Sequence, residues 1–128
     1  MPAITLHTFV TSPFAAKVKC YLDYKQLEYQ LAPVDPVSAR ELEFTGQRQV
    51  PVLQIGDEWR RDSSAIGHWL EERFPERPLL GTNDGDREAI LAADQWVTES
   101  LIPAVFRSTA SWRWWHPLEL AAGLSNGW

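Results

Sequence analysis

Three short segments of this 128-residue chain carry side chains suited to holding and polarising an anion. Ser12 stands directly before Pro13, and proline suits the first turn of a helix because its missing N–H costs nothing there. A hydroxyl at a helix N-terminus sits among unpaired N–H groups and the positive end of the helix dipole, which together favour a negative charge. Such a hydroxyl can donate to a sulfur and favour its thiolate form without becoming a nucleophile itself. Thr11 offers the same group one residue earlier and is the reserve. Asp62-Ser63 places a carboxylate, a hydroxyl and a second helix start in two residues. Val50-Pro51 heads an apolar run. A cis bond there would present the main-chain groups of Val50 to a peptide-like ligand, whereas a trans bond would merely start a strand. Ser12 and Asp62-Ser63 also suit ordinary N-caps, so neither is diagnostic alone.

Other chemistries find little support. The single cysteine, Cys20, rules out an intrachain disulfide and dithiol exchange. Its place two turns into the first helix suggests a packed or partly buried thiol. His7, His68 and His116 lack metal-ligand spacing, so no metal site is expected. A net charge of −5 argues against a nucleic-acid partner. No stretch approaches the ~18 apolar residues of a membrane span, and the N-terminus lacks the pattern of a signal peptide. A cytoplasmic setting follows as the expectation. Hydrophobic residues at 45% and charged residues at 23% are those of a globular chain.

The elements that must position these residues are legible in the pattern. Residues 4–9 alternate as a strand, and Phe14, Val18, Tyr21 and Leu22 recur at helical spacing, with Lys17, Asp23 and Lys25 mostly on other faces. Residues 29–34 read as a second strand, and Pro36 starts a short helix through Phe44 that Gly46 ends. Residues 50–55 form the strongest strand, and Gly56-Asp57 turns it into a hairpin partner at 58–61. Asp62 or Ser63 then caps a helix carrying Ile66, Trp69, Leu70 and Phe74 on one stripe, closed by Pro75. The order βαβαββα pairs a parallel crossover unit with an antiparallel hairpin, which is an α/β thioredoxin-like arrangement. A linker follows. From Asp86 a helix carries Ile90, Ala93, Val97 and Leu101 on its apolar side, and Pro103 should kink it. Trp112, Trp114 and Trp115 suit packing against further helices or lining a hydrophobic pocket.

These residues together resemble the glutathione S-transferases. Residues 3–81 are similar to that family's N-terminal domain, and the helix from Asp86 resembles the start of its all-α C-terminal domain. The organisation implied is a glutathione-binding domain at 1–81 and a partial helical domain at 86–128. Ser12-Pro13-Phe14 with Lys17-Val18 is similar to serine-type transferases. The wider frame of Tyr21-Leu22-Asp23-Tyr24, Pro36-Val37, Val50-Pro51 and Asp62-Ser63-Ser64 resembles the prostaglandin E synthase 2-like branch, whose two cysteines correspond here to Ser12 and Ala15.

The resemblance implies glutathione as co-substrate, with Ser12 holding its thiol as thiolate and a cis Val50-Pro51 pairing with its backbone. Ser63 would take the γ-glutamyl carboxylate and Asp62 the ammonium group. Gln49 would reach the glycyl end, with Arg40 and Arg48 as weaker candidates. The partner would be a small hydrophobic electrophile, and a homodimer would be possible. A non-catalytic binding module and a prostaglandin-type glutathione-dependent isomerase are the alternatives. Relatives carry several more helices, so catalysis is expected only of a version with a complete helical domain.

Overall fold

The computed structural model describes residues 1–109. The tryptophan cluster and His116 lie outside them. The chain divides into two compact units, Met1–Leu79 and Leu80–Trp128.

The first unit is built on a four-stranded sheet of order β2-β1-β3-β4. Strand β1 is Ile4–Thr8, β2 is Gln30–Pro33, β3 is Val52–Ile55 and β4 is Glu58–Arg61. Helix α1, Pro13–Tyr24, makes the crossover that lets β2 lie parallel to β1. Strand β3 runs antiparallel to both β1 and β4. Alternation along the strands gives each face its own core. One face holds Ile4, Leu6, Leu53 and Ile55 against Val18 and Leu22 of α1 and Ile66 and Leu70 of α2, Ser63–Arg73. On the other, Val52 packs with Val34, Ala39, Leu42 and Val50. Gly67 allows α1 and α2 to approach closely, since a Cβ there would lie 3.1 Å from the Tyr21 ring.

The short helix expected from Pro36 begins later and is tighter. It is a 3-10 helix, Arg40–Thr45, which ends at Gly46 with φ +68°. The preceding turn belongs to Asp35, whose carboxylate accepts the Ser38 hydroxyl at 2.6 Å and the Val37 N–H at 2.9 Å. Those bonds, the hydroxyl's foremost, hold the Asp35 carboxyl below its ordinary pKa.

Two expectations about α1 are corrected. Cys20 is exposed rather than packed. Lys25, read as a charge off the apolar face, is buried, with its side chain 1% exposed. It sits just past the end of α1, where the chain turns back, and its ammonium pairs with Glu71 at 2.6 Å. The same ammonium donates to the Phe74 carbonyl at 2.7 Å and the Arg77 carbonyl at 3.2 Å. Lys25 therefore supplies donors to the C-cap carbonyl of α2 and to the chain that follows it.

In the second unit, helix α3 spans Asp84–Trp96, two residues earlier than expected, because Asn83 is the N-cap and accepts the Asp86 N–H at 2.9 Å. Pro103 does not break the run. A π-helical segment, Val97–Leu101, precedes α4, Ile102–Thr109, and the Ile102 N–H bonds to the Val97 carbonyl. The wider turn places Pro103 in the first turn of α4, where it needs no N–H partner.

Replacing Lys25 with Met keeps the stem but leaves Glu71 and the Phe74 and Arg77 carbonyls without the ammonium. The expected loss is about 3 kcal/mol in urea unfolding; a loss under about 0.5 kcal/mol would show the clip to be neutral.

Candidate functional site

Strand register brings the three segments to one end of the sheet. Val52 pairs with His7 of β1 on one side and with Arg61 of β4 on the other. Since β3 runs against both, the chain leaving β1, the chain entering β3 and the chain leaving β4 all lie at that end. These are the stretches that carry Thr11 and Ser12, Gln49 to Pro51, and Asp62 and Ser63. The Val50-Pro51 bond is cis. A bond between the two helices adds a tie near their starts, as Lys17 Nζ of α1 donates to Ser64 Oγ of α2 at 3.2 Å.

Ser12 is the N-cap of α1, and its Oγ accepts the Ala15 N–H at 3.2 Å. It is 2% exposed, whereas Thr11 is open to solvent. A hydroxyl has one hydrogen to give and two lone pairs, so the cap occupies an acceptor site and not the O–H donor. Capping and donation to a sulfur are therefore compatible in the same group.

Asp62 is the N-cap of α2, with Oδ1 accepting the N–H groups of Ser64 at 2.9 Å and Ala65 at 3.3 Å. Its backbone has φ +71° and ψ 119°, a conformation costly for any residue with a Cβ. The cap helps hold it there. Ser63 follows as the first helical residue and is buried.

The approach to Val50 is organised by a side chain that sequence reasoning passed over. Gln47 Oε1 accepts the Gln49 N–H at 2.6 Å, and Gln47 Nε2 donates to the Gln49 carbonyl at 3.1 Å. The only hint in the sequence was its polarity in a stretch leading into an apolar strand. Arg48 donates Nη2 to the Val37 carbonyl, which explains its place without a ligand. Arg40 is exposed at the start of the 3-10 helix.

A shallow groove of about 240 Å³ lies on the β2 side of α1, with Phe9, Ser12, Ala16, Leu31 and Pro33 on its walls. Ser12 is the one candidate residue that lines it; Val50, Pro51, Asp62 and Ser63 do not. His7 packs on the opposite sheet face against the Phe44 ring, its Nε2 3.3 Å from Gln54 Oε1. Among the described residues, no group of three or more His, Cys, Asp or Glu side chains is placed to hold a metal. No described helix is long and apolar enough to cross a membrane.

The likenesses to known proteins take in the first unit and extend beyond it. The chain is 42% identical over 102 residues to prostaglandin E synthase 2 of Mus musculus, covering 66% of this chain and 26% of that protein. It superposes on a crystal structure of a maleylacetoacetate isomerase from Anaeromyxobacter dehalogenans 2CP-1 with a TM-score of 0.65 and 31% identity, covering 80% of this chain and 51% of that one. A glutathione transferase homolog from Burkholderia gl BGR1, with bound glutathione, gives a TM-score of 0.67 at 27% identity, covering 79% and 56%. The chain thus spans about half, or less, of the proteins it matches. Residues 6–78 match the profile of the glutathione S-transferase N-terminal domain, and with more than half its length so matched the chain belongs to the glutathione S-transferase family.

Proposed function

We propose that the first unit binds glutathione and lowers the pKa of its thiol, for transfer to a small hydrophobic electrophile in a protein with a full helical domain. The observation that carries this reading is the convergence of two capped helix starts and the Val50-Pro51 segment at one end of the sheet. Glutathione has features to match each. Its cysteinyl main chain pairs with the backbone of Val50 as an added strand. The γ-glutamyl carboxylate lies at the start of α2, against the Ser63 hydroxyl and the N-terminal peptide groups. Asp62 faces the ammonium group and keeps Oδ1 on its own helix. Gln49 serves the glycyl end. The bound glutathione of the Burkholderia homolog supports the choice of ligand.

The sulfur is then left near the start of α1. Lowering a thiol pKa of ~8.5 by about two units takes roughly 2.7 kcal/mol of preferential thiolate stabilisation. A hydroxyl donor and a helix terminus together supply most of that. Ser12 donates its O–H while its lone pair keeps the cap; Thr11, more open, is the alternative donor.

A second reading, a non-catalytic glutathione-binding module, is favoured by the burial of Ser12. A prostaglandin-type isomerase draws on the likeness to the mouse synthase, but Ser12 and Ala15 stand where that branch carries cysteines. Cytoplasmic placement and pairing into a homodimer complete the proposal.

Tryptophan fluorescence titration with glutathione tests the binding. Asp62→Ala and Ser63→Ala should each weaken the Kd about tenfold, near 1.4 kcal/mol; no binding by the unaltered chain at millimolar glutathione would end the glutathione reading. The thiolate role is tested by the ultraviolet thiolate absorbance of bound glutathione against pH. Ser12→Ala should raise the bound thiol pKa by about one unit. An unchanged pKa in Ser12→Ala with a rise in Thr11→Val would transfer the role to Thr11, and no depression in the unaltered chain would favour the binding module.

A further inference from the structure

We propose that Gln47 is a positioning residue for the ligand, acting as a surrogate strand that aims the main chain of Val50; the inference rests on the glutathione reading above. The carboxamide of Gln47 engages both main-chain groups of Gln49, as a neighbouring β-strand residue would. Its orientation is dictated by the network, because Oε1 faces an N–H and Nε2 faces a carbonyl. The second Nε2 hydrogen points to Thr45 Oγ1 at 3.2 Å, and the Thr45 hydroxyl donates to the carbonyl of fully buried Leu42 at 2.7 Å. The clamp is thus anchored in the core beneath the sheet.

The consequence falls on the next peptide. The Gln49-Val50 bond is trans and planar, so its carbonyl and its N–H point to opposite sides. With the Gln49 carbonyl held by Gln47, the Val50 N–H is aimed away from Gln47. In the glutathione reading that N–H is half of the strand-like pairing with the ligand. Gln47 touches no ligand itself in this account; it fixes the direction of a group that does.

Gln47→Ala removes both bonds. Gln47→Glu keeps the acceptor for the Gln49 N–H but turns a carboxylate oxygen on the Gln49 carbonyl. Both variants should weaken glutathione binding about tenfold, with each variant still folded by its thermal unfolding transition. Amide hydrogen exchange at Gln49 should accelerate in Gln47→Ala and stay near the unaltered rate in Gln47→Glu. If the unaltered chain binds glutathione and both variants bind within twofold of it, this inference is overturned while the glutathione reading stands. If the unaltered chain does not bind, the reading fails and takes the inference with it, and the exchange rates alone then report whether the clamp forms.

Discussion

Everything at the candidate site depends on the double pairing of Val52. A residue hydrogen-bonded into a central strand between two antiparallel neighbours fixes which chain ends meet. Because side chains alternate along a strand, a slip of one residue at Val52 would move Leu53 and Ile55 off the α1–α2 core and onto the face that Val52 shares with Val34 and Leu42. The apolar pattern therefore holds the register, and the register gathers Ser12, Val50 and Asp62 at one end. The site is a by-product of burying Leu6, Leu53 and Ile55 correctly. No individual polar contact needs to be strong for the three segments to remain together.

The same hydrogen bonds serve folding and the proposed chemistry. Ser12 and Asp62 are both N-caps, which is the plain structural reading of each. In both cases the cap draws on acceptor atoms, Oγ of Ser12 and Oδ1 of Asp62. It leaves undisturbed the property a ligand would use, the hydroxyl hydrogen in one case and the negative charge in the other. The positive φ of Asp62 adds a point that capping alone does not require, since most N-caps have extended backbones. Ser12 has such a backbone, at φ −81° and ψ 112°. The start of the 3-10 helix shares the positive φ, at Ala39, but Asp62 combines it with an extended ψ of 119° as the chain leaves β4.

Much of the fold was legible because it is written in periodicity and turn chemistry. The strands around Leu6 and Leu53, the Gly56-Asp57 turn and the stripe Ile66, Trp69, Leu70 all repeat at the spacing of their element. What escaped the reading shares a different cause. Lys25 looked like a solvated charge, because its partners Glu71 and the Phe74 carbonyl are nearly fifty residues away in sequence. Gln47 looked like loop polarity, because a carboxamide that mimics a strand leaves no pattern. Cys20 was misplaced by one helical face. The start of α3 lies two residues before Asp86 because Asn83 supplies the cap. Among the candidate ligand residues, Arg48 is the one whose guanidinium is seen engaged with backbone elsewhere, at Val37.

Family membership rests on residues 6–78, and the chain spans only part of the proteins it resembles. The central claim therefore concerns the first unit alone: glutathione lies at the end of the sheet where Val52 gathers the three segments. Backbone amide chemical shifts of the isotope-labelled chain, followed through a glutathione titration, test that most directly. The account predicts shifts concentrated at Val50 and at Ser63 to Ala65, with a smaller set at Ser12 to Ala15. Shifts confined to Leu31, Pro33-adjacent amides and the outer face of α1 would place the ligand in the groove beside β2 and contradict it.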